Sequence, residues 1–114
     1  MPLPKHVRDY VERTMTVDYC ANRVSERVRD RLRVGFQTRG NSVTPFEERP
    51  QFQNPSHWIK VVIAQFRYNY ANGQWSLSCA DRNSRWHDYE FNAARDIRTL
   101  LREVDADPTG IFWG

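Results

Sequence analysis

The chain has 114 residues, 39% of them hydrophobic and 27% charged, with a formal net charge of +3. That balance excludes a disordered chain, and no apolar run approaches the roughly 20 residues of a membrane helix. The two cysteines, Cys20 and Cys79, are isolated, which excludes a disulfide framework and fits buried thiols in a reducing cytoplasm.

Pro4 suits the first turn of a helix, and Val7, Val11, Thr14/Met15 and Cys20 recur behind it at helical spacing. The pattern predicts a helix from about Pro4 to near Arg23, with its apolar stripe facing the core. Five arginines then fall between Arg23 and Arg33 against two acids, Glu26 and Asp30. Of the 17 basic residues only Lys5 and Lys60 are lysines. Arginine's planar fork matches phosphate and carboxylate, so an anionic partner is one reading, and ion pairing with the chain's own acids is the plainer one.

Leu32, Val34, Phe36 and Thr38 alternate with Arg33, Gly35, Gln37 and Arg39, and Gly40-Asn41 supplies a turn. The returning segment, Ser42 to Arg49, contains Pro45, which demands an edge position or a bulge. Either device is expected to bring Val43 and Phe46 to one side. Residues 50–57 form a loop.

From Trp58 to Tyr89 runs the strongest hairpin signal. Val62, Ala64, Phe66, Tyr68 and Tyr70 alternate with Ile63, Gln65, Arg67 and Asn69, Asn72-Gly73 follows, and Trp75, Leu77 and Cys79 alternate with serines. A two-residue loop pairs Tyr70 with Trp75, Tyr68 with Leu77 and Phe66 with Cys79. Asp81 to Ser84 reads as a turn into a last strand, Arg85 to Phe91. Asn92 is the expected N-cap of a closing helix with Ile97, Leu100, Leu101 and Val104 on one face, stopped by Asp107-Pro108 and Gly110.

The order implies one two-layer α+β domain over residues 1–114: a four-stranded antiparallel meander with the N-terminal and C-terminal helices packed on one face. The other face carries Arg33, Gln37, Arg39, Gln65, Arg67, Asn69, Ser76 and Ser78, with Tyr89 a possible addition.

Several segments carry a resemblance. They are Arg29-Asp30-Arg31-Leu32-Arg33, Gly40-Asn41-Ser42-Val43, Phe46-Glu47-Glu48-Arg49-Pro50 and Ala64-Gln65-Phe66-Arg67-Tyr68. Trp75-Ser76-Leu77, Arg85-Trp86-His87-Asp88-Tyr89 and the closing Glu103 to Pro108 and Phe112-Trp113-Gly114 complete the set. Together they resemble the bacterial family catalogued as domain of unknown function 3024, over about nine-tenths of the chain. The resemblance implies a small bacterial protein and brings no catalytic residues. Ser78-Cys79 departs from the family's further aromatics, and Val24 to Val28 departs from its proline-rich segment.

No catalytic residue, metal site or cofactor is assigned. His6, His57 and His87 show no ligand spacing. Asp105 to Gly110 mimics the start of a calcium loop without the chelating Glu at position 12, and helix termination explains it better. The leading expectation is a non-enzymatic binding domain whose Arg-bearing sheet face contacts nucleic acid or an acidic protein surface. Its candidate residues are Arg33, Arg39, Arg49, Arg67, Ser78 and His87, and Arg49 has a second reading as a partner of Glu47 or Asp88. The alternative is a small hydrolase or nuclease-like enzyme using His87, placed opposite Ser78 beside Arg67, with Asp88 or Glu48. A homodimer through an edge strand is a third reading. The N-terminus lacks a signal-peptide core, so a cytoplasmic location without membrane association is expected.

Overall fold

The computed structural model describes residues 2–20, 32–81, 83 and 85–113. Helix α1 spans Lys5–Arg13 and continues as a π-helical stretch, Thr14–Cys20. The expected end of this helix near Arg23 and most of the arginine cluster lie outside the described residues. Val11, Thr14, Met15 and Tyr19 are buried along one stripe. Among the described residues six strands follow, not four: β1 Arg33–Arg39, β2 Ser42–Pro50, β3 Trp58–Val62, β4 Gln65–Asn69, β5 Gln74–Ala80 and β6 Trp86–Asp88. Helix α2 spans Ile97–Ala106. All named pairings are antiparallel, in the order β1-β2-β4-β5-β6, with β3 also on β2.

The helices and the tail around Phe112 bury one sheet face. Val43, Phe66, Trp75 and Leu77 pack there against Val11, Met15, Ile97, Leu100, Leu101 and Val104. The four apolar positions expected of the closing helix are all buried. Its N-cap, however, is Asp96, not Asn92, because the chain first makes a bridge between Ala94 and Trp75.

The central hairpin keeps its expected faces but shifts its register by two residues. Tyr68 pairs with Trp75, Phe66 with Leu77 and Arg67 with Ser76. Tyr70 and Ala71 join Asn72 and Gly73 in a four-residue loop. The Asn69 carbonyl accepts the Gly73 N–H at 2.8 Å, while the Asn69 and Asn72 side chains accept the Ala71 and Gln74 N–H groups. Side-chain capping of this kind competes with a tighter turn. Gly73 supplies the positive φ, 68°.

Pro45 accounts for one of the two strands beyond four; the other is the last strand, expected over Arg85 to Phe91 and observed as the three residues of β6. The Pro45 carbonyl accepts the Ile63 N–H at 2.9 Å, so its missing donor faces that same neighbour. The neighbour passes it with one extra residue, because Phe46 pairs with Val62 whereas Val43 pairs with Phe66. The bulge turns both Ile63 and Ala64 into the core and splits one long strand into β3 and β4. It lies on the neighbour, not on β2. Val43 and Phe46 therefore point to opposite faces, contrary to expectation: Val43 joins the core, and Phe46 lies across Gly35 on the other side.

Candidate functional site

The sheet face away from the helices is built from rows of cross-strand neighbours. One row runs Arg39–Ser42–Arg67–Ser76 across four strands. Adjacent strands lie about 4.8 Å apart, so Arg39 and Arg67 stand roughly 10 Å apart on either side of Ser42. Arg67 Nε donates to Gln65 Oε1 at 3.2 Å, which holds the guanidinium along its own strand. A cleft of about 340 Å³ opens beside it, lined by Arg67, Ser76, Asn41 and Asn69 among others. Tyr68, Tyr70 and Ala71 complete its lining, the Asn41 amide donates to the Tyr68 carbonyl, and no carboxylate lies within ion-pairing distance of Arg67 among the described residues.

A second row is Gln65–Ser78–Asp88. Ser78 is only 5% exposed, so its hydroxyl is not offered to a partner. At the far end lie Arg33, Glu48 and Lys60, again in one row. Arg33 lies over the Trp58 ring at 4.1 Å, and Lys60 Nζ lies over the Phe46 ring at 4.1 Å. Trp86, opposite Ala80, is on the same face. Among the described residues the face thus combines the cations Arg33, Arg39, Lys60 and Arg67, the acids Glu48 and Asp88, and the aromatics Phe46, Trp58 and Trp86.

Two expected members are elsewhere. Arg49 shares its face with Glu47, its ion-pair partner at 3.8 Å, and pairs across β3 with Ile59. It belongs to the side opposite Arg33, Arg39 and Arg67. Such an exposed pair contributes little. His87 pairs with Cys79, and it is Asp88 that faces Ser78. The His87 Nε2 meets Asp81 Oδ2 at 2.7 Å instead of joining Asp88 or Glu48. That contact, followed by backbone N–H donors from Arg85 and Asn83, lowers the Asp81 pKa. Tyr89 packs on Phe112 at 4.9 Å on the core side and donates to Glu103, so it is no part of the open face either.

A third feature is a fork in the sheet. Past the bulge, β3 follows β2 while the end of β5 follows β6, and the two limbs leave a cleft of about 580 Å³. Lys60, Val61 and Val62 line one wall; Ala80, Asp81, Trp86, Ile111 and Phe112 line the other. Among the described residues, no group of three or more His, Cys, Asp or Glu side chains is placed to hold a metal ion, and no helix is long and apolar enough to cross a membrane.

The match to a known family spans residues 3–114, essentially the whole chain. The chain belongs to the family described as Domain of unknown function (DUF3024). No curated protein and no solved structure matches it. In this DUF3024 chain, sequence reasoning placed Arg33, Arg39 and Arg67 on one face but missed Phe46, Trp58, Lys60 and Trp86 beside them. The available signal was Gly35: a glycine inside an alternating strand marks a close approach, here of the Phe46 ring.

Proposed function

We propose that the chain is a non-enzymatic binding domain whose open sheet face takes single-stranded nucleic acid. The observation that carries this reading is the company of Arg33, Arg39, Lys60 and Arg67 with the half-buried Trp58 and Trp86 on a face that the described helices leave uncovered. Cations along a sheet neutralise phosphates, and indole rings among them give unstacked bases a platform. An acidic protein surface would need the cations alone, so the aromatics favour nucleic acid.

The test is fluorescence anisotropy with a labelled oligothymidylate at low salt. Affinity should fall as salt rises, and Arg39→Glu with Arg67→Glu should weaken binding and flatten the salt slope. Trp58→Ala or Trp86→Ala should cost about tenfold with the salt slope unchanged. Absence of oligonucleotide binding at low salt would remove the reading. Binding of polyglutamate as tight as that of the oligonucleotide, indifferent to the tryptophans, would replace it with an acidic protein partner.

A further inference from the structure

Among the described residues strand β3 is hydrogen-bonded to β2 alone, and its remaining edge faces the fork. Its side chains are open on both sides: Ile59 (36%) and Val61 (38%) on one face, Val62 (37%) and Lys60 on the other. Across the cleft, Ile111 is 47% exposed. An apolar strand with an unpaired edge and two open faces is a template for another strand. Its backbone row asks for an extended backbone, and its apolar walls ask for apolar side chains on both sides of that backbone.

Charge narrows the occupant further. Lys60 lies on the Phe46 ring; among the described residues its cross-strand neighbour Glu48 is not within ion-pairing distance of it, and the cleft's own acid, Asp81, is paired with His87 instead. A second copy of the chain is a poor fit. Pairing two β3 strands about an axis at Lys60 sets two ammonium groups side by side. The incoming β3 would also bring its own β2, which needs the space held by Ala80, Trp86 and Ile111.

We propose that the fork is a docking site for an extended segment of a partner protein, apolar on both sides and carrying a carboxylate opposite Lys60, which adds to β3 as a further strand. The cleft fills when that segment binds. The site is separate from the Arg39–Arg67 row, although Lys60 and Trp86 border both.

The test titrates the full chain with the capped peptide acetyl-Val-Val-Glu-Val-Thr-amide, followed by amide chemical shifts. Saturable shifts are expected at Ile59 to Val62, Ala80 and Ile111. N-methylation of alternate peptide amides, on the edge that meets β3, should weaken binding about tenfold by removing the ladder bonds. Replacing the peptide's Glu by Lys should weaken it about fivefold, and Lys60→Glu should reverse that preference. Three results would overturn the proposal. They are an absence of saturable shifts, binding indifferent to N-methylation, and a concentration-dependent dimer with the β3 amides protected, which would make a second copy the occupant. The Arg39→Glu/Arg67→Glu chain should bind this peptide as well as the parent does, whatever becomes of its nucleic-acid affinity.

Discussion

The Asp107 carboxylate holds Trp113 by its backbone: Oδ2 accepts the Trp113 N–H at 2.9 Å, and Oδ1 accepts the Phe112 N–H at 3.0 Å. Asp107 also ends α2 in the left-handed conformation, at φ 43°. Its N–H donates to the Glu103 carbonyl, an αL cap. One residue thus stops the helix and straps the tail so that Phe112 seals the core against Tyr89.

Asp107→Ala should therefore lose about 1–3 kcal/mol, because two N–H groups lose a charged acceptor while the strained φ remains. Asp107→Asn keeps one acceptor oxygen and should lose less. Urea denaturation gives the stability, and amide exchange should accelerate first at Phe112 and Trp113. An unchanged midpoint for Asp107→Ala would show that the tail is held by other contacts.

Asp96 ties the two helices together. Its Oδ1 accepts the Arg98 N–H at 3.0 Å and the Tyr10 hydroxyl at 2.8 Å, and its Oδ2 meets the Arg98 guanidinium. Burial raises its pKa, but the Arg98 N–H, the Tyr10 hydroxyl and the Arg98 guanidinium outweigh it, and the net shift is downward from 3.8. A folded pKa below the unfolded one gives stability that is present above the unfolded value and lost as pH falls through the folded value. Asp96→Ala should cost about 1 kcal/mol at neutral pH as a lost N-cap. The gap from the parent should narrow as pH drops below about 4, in paired urea melts. A gap constant with pH would exclude the ionised carboxylate as its source.

How far the fold could be read from the sequence follows a physical line. The α2 stripe and the alternation on β1, β4 and β5 were legible because each is local and periodic. Tyr68 and Trp75 were assigned to the correct face with the wrong partners, since a two-residue slip preserves faces and only Asn69 and Asn72 capping selects the longer loop. Phe46 was misplaced because nothing local says which strand carries the bulge that Pro45 imposes. His87 was misplaced because a three-residue strand fixes its register through the Asp81 turn, not through a pattern of its own. The candidate face was consequently half legible: its arginines follow from alternation, and its aromatics depend on Gly35 and the bulge.

The Asp81 turn is testable by titration. His87 is the largest influence lowering the Asp81 pKa, followed by the Arg85 N–H, with the Asn83 N–H a smaller contributor. Carboxyl-carbon NMR should show Asp81 titrating below the ordinary aspartate range. His87→Ala should raise the value only part of the way, since the backbone donors persist. The contribution to stability is present above pH 3.8 and disappears as pH falls through the folded pKa. A full return to the ordinary value in His87→Ala would mean that the turn itself had come apart.

Gly35 and Phe46 decide whether the open face keeps its shape. A Cβ built on Gly35 would lie 3.0 Å from two atoms of the Phe46 ring, tighter than ordinary contact. A ring pushed away from Gly35 disturbs its contact with Lys60, whose ammonium lies 4.1 Å from its centre. Two effects oppose one another in Gly35→Ala. Restricting the unfolded chain stabilises by about 0.5–1 kcal/mol, whereas forcing a side chain into filled space costs about 1–3 kcal/mol. The second is larger, so a net loss of about 1 kcal/mol is expected, with Phe46 more exposed and Lys60 displaced. Phe46→Leu alone should also destabilise, by leaving space over the glycine. The double variant should then be more stable than the sum of the single losses predicts, because the alanine methyl occupies what the ring vacates. Additive losses would mean that ring and glycine are not in contact, and the aromatic part of the candidate face would have to be drawn again.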